Sequence, residues 1–171
     1  MGVFSLWLFQ TGTLEYRRIL PTTFLTIKKT RFKCCSSRTP VSVDESLVTL
    51  QDAARIARDG IAEIFGIKLN RVGGLTKAAR MRDVALAHGI DMFVMATGGS
   101  VLADCEALHL AATIPDQSCH AVWACQDMLT VDIAAGRGPR NQNGHLHLPE
   151  APGLGVHPDE DMLGDPVAVY R

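Results

Sequence analysis

Long apolar runs and disulfide-type cysteine spacings are both absent from this sequence. A membrane-spanning helix needs about 20 consecutive apolar residues, and no apolar run among the 171 residues approaches that length. We therefore expect neither a membrane span nor a membrane partner. The five cysteines are odd in number and include no CxxC pair. Such usage is typical of reduced thiols in the cytosol or an organelle rather than of a disulfide framework.

Acidic residues are nearly absent from residues 1–39, which contain seven Lys or Arg and the single acid Glu15. This basic leader carries a formal charge of +6. Because the whole chain carries −1, residues 40–171 carry −7. We expect the leader to be unrelated to the domain that follows. Its composition suits a mitochondrial transit peptide, whereas the lack of a clear amphipathic helix favours a disordered leader or an artefact of where the reading frame was taken to start. The expected compartment is the cytoplasm, or the mitochondrion if the leader is a transit peptide.

Several catalytic and binding signatures are missing as well. The sequence contains no GxSxG or HExxH motif, and His145 and His147 lack further ligands at a spacing suited to zinc. Cys105 lies among Ala and Leu, where a buried small hydrophobic residue is a simpler interpretation than a nucleophile. Residues 40–171 are net acidic and have no basic–aromatic stripe, which argues against a nucleic-acid partner.

From Pro40 onward, short β-branched or apolar runs alternate with longer helical segments. Strands separated by helices of this length imply right-handed βαβ crossovers and therefore a parallel sheet in an α/β fold. The predicted strands are residues 41–43, 64–69, 92–96 and 120–124, the predicted helices are residues 47–59, 75–88 and 101–112, and a Gly- and Pro-rich looped tail covers residues 136–171.

Polar residues stand where the predicted strands end. Because ligands gather at the carboxyl edge of such a sheet, we expect Asp44, Lys68, Thr97 and residues 125–127 to lie at one edge. Asp44 is a suitable oxygen ligand for Mg²⁺. A lysine held near such a cation is discouraged from carrying its own charge, so Lys68 could serve as a base. The residues alone leave a structural ion pair between Asp44 and Lys68 as the alternative.

Two glycine pairs follow the second and third predicted strands. Gly73-Gly74 and Gly98-Gly99 permit tight turns, after which the first amides of the next helix could face an anion. Neither pair belongs to a P-loop or a GxGxxG motif. A short connection that needs glycine is the alternative explanation.

Four stretches, in the order "VDES", "IKLNRVGGL", "AHGIDMFVMATGGS" and "PGLGV", resemble the C-terminal part of the enolase superfamily, in its mandelate racemase and muconate lactonizing branch. The 24 residues from Asp44 to Lys68 match the arrangement of that family. There, the fifth barrel strand ends in the last of three metal-binding acids and the sixth ends in a lysine acid/base. The resemblance implies that residues 40–171 are about four βα units from the C-terminal part of a TIM-type (β/α) barrel, with a looped C-terminal extension.

The resemblance also implies a reaction, namely Mg²⁺-dependent abstraction of the proton next to a carboxylate, through an enediolate. By this resemblance Asp44 is the metal ligand and Lys68 is the proton-transfer group. The small carboxylate substrate, or the two groups just named, would be contacted by Glu45, Asn70, Thr97, Gly98, Gly99, Cys125 and Gln126.

Within the branch, the "TGGS" turn and the ending "LGDPVAVY" resemble the hydroxyproline dehydratase and proline-derivative epimerase group. This implies dehydration of a hydroxyproline such as cis-3-hydroxy-L-proline, or alternatively racemisation or epimerisation of an amino-acid derivative. In that group the turn usually reads Asp-Thr-Gly-Gly, and here Ala96 replaces the Asp. Cys125 and Gln126 likewise occupy the region where several relatives place a glutamate.

A whole TIM-type barrel has eight strands in roughly 250 residues, and residues 40–171 supply about four. The other two metal-binding acids and the opposing lysine of the family belong to the missing strands. We therefore expect an incomplete Mg²⁺ site and no activity from this chain alone, although full-length relatives are expected to be homo-oligomeric enzymes. The rival prediction is a non-catalytic half barrel whose open strand edges pair with another chain.

Overall fold

The computed structural model describes residues 40–169, without the side chain of Asp127, and the backbone of residues 8–10 and 13–15. Two short strands of the basic leader, β1 (Leu8–Gln10) and β2 (Thr13–Glu15), form an antiparallel pair, which the sequence pattern did not predict. The rest of residues 1–39 lies outside the described residues. The transit-peptide and disordered-leader interpretations therefore stay predictions.

A parallel sheet forms the centre of the domain, as the sequence predicted. Its strands are β3 (Ser42–Val43), β4 (Ile64–Lys68), β5 (Asp91–Met95) and β6 (Cys119–Trp123), and they lie side by side in chain order. All three neighbouring pairs are parallel. The predicted α/β fold class is therefore confirmed.

Helices connect the strands. They are α1 (Leu50–Arg58), α2 (Leu69–Val72), α3 (Leu75–Ala87), α4 (Val101–Ala111) and α5 (Glu160–Leu163), with two short 3₁₀ helices at Asp116–Ser118 and Gln126–Met128. Across the described part of the chain, no helix is both long enough and apolar enough to cross a membrane.

The first long helix begins at Leu50 and not at residue 47, where the sequence predicted its start. Thr49 is the reason, because its hydroxyl accepts a hydrogen bond from the Asp52 amide at 3.1 Å while the Asp52 carboxylate accepts one from the Thr49 amide at 3.0 Å. This reciprocal capping box fixes the start of a helix. Leu47 lies ahead of the cap and is buried in the core.

The connection after β4 also differs from its prediction. The strand prediction ran on to Leu69, but that residue begins α2, a single helical turn whose Leu69 and Val72 are buried. Gly73 ends α2 with a φ of 87° and Gly74 starts α3 with a φ of 98°. Positive φ values are open to glycine at little cost, so the pair makes the sharp reversal between the two helices.

The main core lies where the helices cover the sheet. All five residues of β4 are buried, as is typical of a parallel strand that is covered on both faces. Phe65 packs in a cluster with Ile56 of α1, Met81 of α3 and Leu110 of α4. By contrast, β6 is mostly exposed and lies at one edge of the described sheet.

The segment after β6 is mainly looped, as predicted, with α5 as its one regular helix among the described residues. It packs against α4 through a small buried cluster of Val101, Cys105, Ala134 and Val156. The Asp132 carboxylate holds the start of the segment, because it accepts hydrogen bonds from two backbone amides of the following turn, at 3.0 and 2.8 Å. The loop therefore has a fixed path over the outside of α4.

Candidate active site

The predicted site residues meet at the carboxyl edge of the sheet. Asp44 directly follows β3, Lys68 is the last residue of β4, and Thr97 and Cys125 each stand two residues beyond the ends of β5 and β6. Because the strands are parallel, these positions lie at the same edge, where βα folds place their ligands.

Asp44 and Lys68 are in direct contact. Lys68 Nζ lies 2.8 Å from Asp44 Oδ1 and 2.9 Å from Glu45 Oε1. The Lys68 and Asp44 side chains are only 9% and 7% exposed, whereas that of Glu45 is 40% exposed. The ion pair that the residues alone left open is thus present, and it sits where the resemblance implies chemistry.

Arg71 completes this ion network and was not predicted. Its Nη1 lies 3.2 Å from Asp44 Oδ1, and its Nη2 lies 2.6 Å from Glu45 Oε2. Two cations therefore face two carboxylates, which balances the charges of a largely buried group. Lys68 is the N-cap residue of α2, and Arg71 lies three residues further on. Such a spacing on a helix places side chains on one face. The prediction of a strand through residue 69 hid that signal.

The cations next to Glu45 set its protonation. The hydrogen bond from Lys68, assisted by that from Arg71, lowers the pKa of the Glu45 carboxyl, and partial burial opposes this effect. Glu45 is therefore a carboxylate at neutral pH. It shares Lys68 with Asp44 and so helps to fix the position of Nζ.

A second group joins the ends of β5 and β6. Thr97 Oγ1 donates to Asn70 Oδ1 at 3.2 Å, and the Gly98 amide donates to Cys125 Sγ at 2.9 Å. Thr97 has a φ of 60°, an uncommon value for a β-branched residue. Four of the predicted residues are thus brought together, and the turn that holds them is locally strained.

Gly99 has a packing role at this turn. A Cβ atom at Gly99 would lie 2.5 Å from the Ala103 Cβ of α4, so glycine allows the turn to approach the helix. This observation supports the short-connection alternative for the second glycine pair. The predicted contact of Gly99 with substrate stays a prediction.

Asp104 is a further buried residue that the sequence interpretation missed. Its carboxylate accepts hydrogen bonds from the amides of Cys125 and Gln126, both at 2.8 Å, and it is 1% exposed. The Gln126 side chain is also buried, and its Oε1 is without a hydrogen-bond partner in the part of the chain that the structure describes. An acid within the apolar helix α4 was the available signal.

Comparison with known proteins decides the family. Residues 21–162 match the family model described as enolase C-terminal domain-like. The chain belongs to this family. The match begins before Pro40, so it includes part of the basic leader as well as the sheet.

Curated relatives of this enolase-family chain catalyse different reactions. It is 36% identical to the cis-3-hydroxy-L-proline dehydratase of Roseibium aggregatum over 131 residues, which cover 77% of this chain and 35% of that protein. It is 34% identical to the N-succinylamino acid racemase of an Amycolatopsis species, over 75% of this chain and 34% of that protein. The chain spans about one third of the length of these relatives.

Solved structures agree with the family. A crystal structure of a Silicibacter pomeroyi protein, assigned to the mandelate racemase/muconate lactonizing enzymes, is 88% identical with a TM-score of 0.74, covering 77% of this chain and 36% of that one. Another protein of this group, from Roseovarius nubinhibens ISM and complexed with magnesium, is 30% identical with a TM-score of 0.74, covering 79% and 37%. The parallel sheet and helices of the enolase-family chain therefore correspond to part of a TIM-type barrel.

The donor chemistry of the site fits part of a Mg²⁺ site. Asp44 and Glu45 present carboxylate oxygens at the carboxyl edge, and such hard donors suit Mg²⁺. Within residues 40–169 and the two short strands of the leader, no group of three or more His, Cys, Asp or Glu could hold a metal ion. Asp44 and Glu45 are therefore described residues at this edge whose oxygens could face such an ion.

Cys105 has the surroundings that the sequence indicated. It is fully buried in α4, and burial, together with the charge of Asp104, raises the pKa of the Cys105 thiol to about 11. A thiol with so high a pKa is a poor nucleophile at neutral pH. Its role is in packing against the C-terminal segment.

Proposed function

We propose that this enolase-family chain carries one part of an active site for Mg²⁺-dependent removal of the proton next to a substrate carboxylate. The observation that carries the proposal is the contact of Lys68 Nζ with Asp44 Oδ1 at the carboxyl edge of the parallel sheet. The family reaction of the relatives supports it, because dehydration, racemisation and cycloisomerisation are all represented among them.

The residues divide the work between them. Mg²⁺ bound at Asp44 would supply positive charge beside the substrate carboxylate, which makes the neighbouring proton more acidic. Lys68 would accept that proton at Nζ as a neutral amine, so its ion pair with Asp44 would first have to give way and Nζ lose the ammonium proton. Glu45 and Arg71 hold the two groups in place through their contacts with Lys68 and Asp44.

Dehydration of cis-3-hydroxy-L-proline, or of a related hydroxyproline, is the favoured reaction. The 36% identical dehydratase supports this choice, as does the Thr97–Gly98 turn beside Asn70 and Cys125. The second candidate is racemisation of an amino-acid derivative, which the 34% identical racemase favours. Ala96 replaces the Asp of the dehydratase group. The contact between the substrate and this turn is therefore the part of the site that we expect to differ most from that group.

This chain by itself would be inactive, because Asp44 and Glu45 alone make a weak metal site. Mg²⁺ usually relies on near-octahedral oxygen coordination, and here it would compete with Lys68 and Arg71 for Asp44 Oδ1. We therefore expect a dissociation constant weaker than about 1 mM for Mg²⁺. Calorimetric titration of the 171-residue protein measures it, and binding in the micromolar range would contradict the expectation.

A graft into the Silicibacter pomeroyi protein tests the function. Residues 40–171 would replace the matching segment of that host, whose 88% identity preserves most packing contacts. We expect the graft to dehydrate cis-3-hydroxy-L-proline, detected by NMR, and to lose this activity when Mg²⁺ is chelated. Inversion of an N-succinylamino acid without dehydration would favour the second candidate. Absence of both products from graft and host alike would overturn the proposed substrates.

A further inference from the structure

The buried carboxylate of Asp104 connects a helix to the end of a neighbouring strand. Asp104 lies in the first turn of α4, where the helix dipole favours a negative charge. Its two oxygens accept hydrogen bonds from consecutive amides, Oδ1 from Cys125 and Oδ2 from Gln126. Charge-assisted bonds of this kind are stronger than neutral ones, so the carboxylate holds both amides in one orientation.

These two amides belong to the turn that leaves the sheet. Cys125 follows β6 by two residues, and Gln126 begins the 3₁₀ helix Gln126–Met128. Side chains of both residues are buried. Two restraints on adjacent peptide groups fix the direction in which the chain leaves the carboxyl edge.

The restraint passes from the end of β6 to the end of β5. Cys125 Sγ accepts a hydrogen bond from the Gly98 amide, and Thr97 next to Gly98 holds a positive φ. A strained backbone persists only where its surroundings fix it. Asp104 therefore lies at the base of a chain of contacts that runs through Cys125 to the Thr97–Gly98 turn.

We propose that Asp104 is a positioning residue that fixes the end of β6 and, through Cys125, the Thr97–Gly98 turn at the end of β5. That these turns face a substrate rests on the proposed function. The restraint itself does not, so it can be measured without any assay of activity.

The test compares the alkylation rates of two cysteines in the 171-residue protein. Cys125 reports on the restrained turn, and Cys119, at the opposite end of β6, reports on loosening of the fold away from that turn. Iodoacetamide is the probe, and peptide mass spectrometry separates the sites. We expect Asp104→Asn, which leaves only one acceptor oxygen, to speed alkylation of Cys125 about tenfold, because a hydrogen bond to a charged group is lost.

Glu106→Gln is the matched control, since it removes a carboxylate from the same helix two residues further on. We expect both cysteines of this variant, and Cys119 of Asp104→Asn, to react at the wild-type rate. An unchanged rate at Cys125 in Asp104→Asn would overturn the proposal. An equal rise at both cysteines would also overturn it, because Asp104 would then stabilise the whole fold rather than the turn. Neither result depends on whether the graft is active.

Discussion

At the scale of single residues, the site is a balance of two cations and two carboxylates with unequal burial. Asp44 and Lys68 are nearly buried, whereas Glu45 is 40% exposed and Arg71 is 23% exposed. Removal of one partner of a buried pair leaves an uncompensated charge, which costs more than loss of an exposed pair. The two acids should therefore differ in their effect on stability although they are neighbours in the chain.

Asp44→Asn should lower the free energy of unfolding by about 3–5 kcal/mol, because Lys68 and Arg71 lose their buried counter-charge. Glu45→Gln is the matched change at an exposed position and should cost less than about 1 kcal/mol. Urea unfolding of the two variants measures the difference. Equal costs would contradict the described burial of the network.

Acid should weaken the network through Glu45. Lys68 and Arg71 lower the pKa of Glu45 below its ordinary value of 4.5. A carboxyl with a lowered folded-state pKa stabilises the fold above its unfolded-state pKa, and this contribution is lost as the pH falls through the folded-state value. Glu45→Gln should therefore flatten the loss of stability as the pH falls below about 5.

Unfolding curves at several pH values test this expectation. Glu150→Gln in the exposed C-terminal segment is the control and should leave the slope unchanged. If the two variants flatten the profile equally, the ion network is not the source of the acid sensitivity.

At the scale of elements, caps and close approaches decide where the helices and strands lie. Thr49→Ala removes the side-chain acceptor of the capping box of α1 and should destabilise the protein by about 1 kcal/mol. Thr76→Ala, at an exposed position in the first turn of α3, is the matched control and should have a smaller effect. Thermal unfolding measures both, and equal effects would mean that the capping box does not fix the start of α1.

Gly66 in the middle of β4 allows a close approach of the neighbouring strands. An added Cβ would lie 2.8 Å from the Phe93 ring and 3.0 Å from the Val43 carbonyl oxygen. Gly66→Ala should therefore cost about 1–3 kcal/mol through overpacking.

Shortening the opposing side chain tests whether the ring is the obstacle. In a double-mutant cycle with Phe93→Leu, the two costs should not add, because the smaller side chain makes room for the new methyl group. Strict additivity of the unfolding free energies would show that contact with Phe93 is not the cause.

The sequence predicted the order and type of the main elements, because each strand and each long helix carries its own local pattern. Thr49 and Asp52 also carried a capping signal, yet the apolar Leu47 drew the predicted start of α1 too early. The single turn α2 was missed, since a run such as Ile67–Leu69 looks like a strand until tertiary contacts bend it. Because that turn was not predicted, Arg71 was not predicted as a residue of the site.

Contacts between distant residues could not be predicted from local patterns. Asp104 meets the amides of Cys125 and Gln126 only because α4 packs beside β6, across 21 and 22 residues of chain. By contrast, Asp44 and Lys68 could be paired in advance, because parallel strands must bring their carboxyl ends to one edge. The sequence thus predicted the place of the site better than the side chains that support it.

At the scale of the whole molecule, four parallel strands end at one edge with Asp44 and Lys68 in contact, and family membership gives that edge a chemical meaning. The chain spans about one third of its curated relatives. The proposed chemistry therefore belongs to a larger barrel. The central proposal for this chain is that Lys68 is the proton-transfer residue of that barrel.

Release of deuterium from α-deuterated cis-3-hydroxy-L-proline by the Silicibacter pomeroyi graft tests this role of Lys68 most directly, since the proton next to the carboxylate must leave before this substrate loses water or changes configuration. We predict Mg²⁺-dependent release by the graft and by its control, Lys77→Met, which changes an exposed lysine of α3. Lys68→Met should slow release by about 10²–10⁴-fold, the usual contribution of a positioned base. A Lys68→Met graft that folds and still releases deuterium at the rate of the unmodified graft would contradict the assignment of Lys68 as the proton carrier.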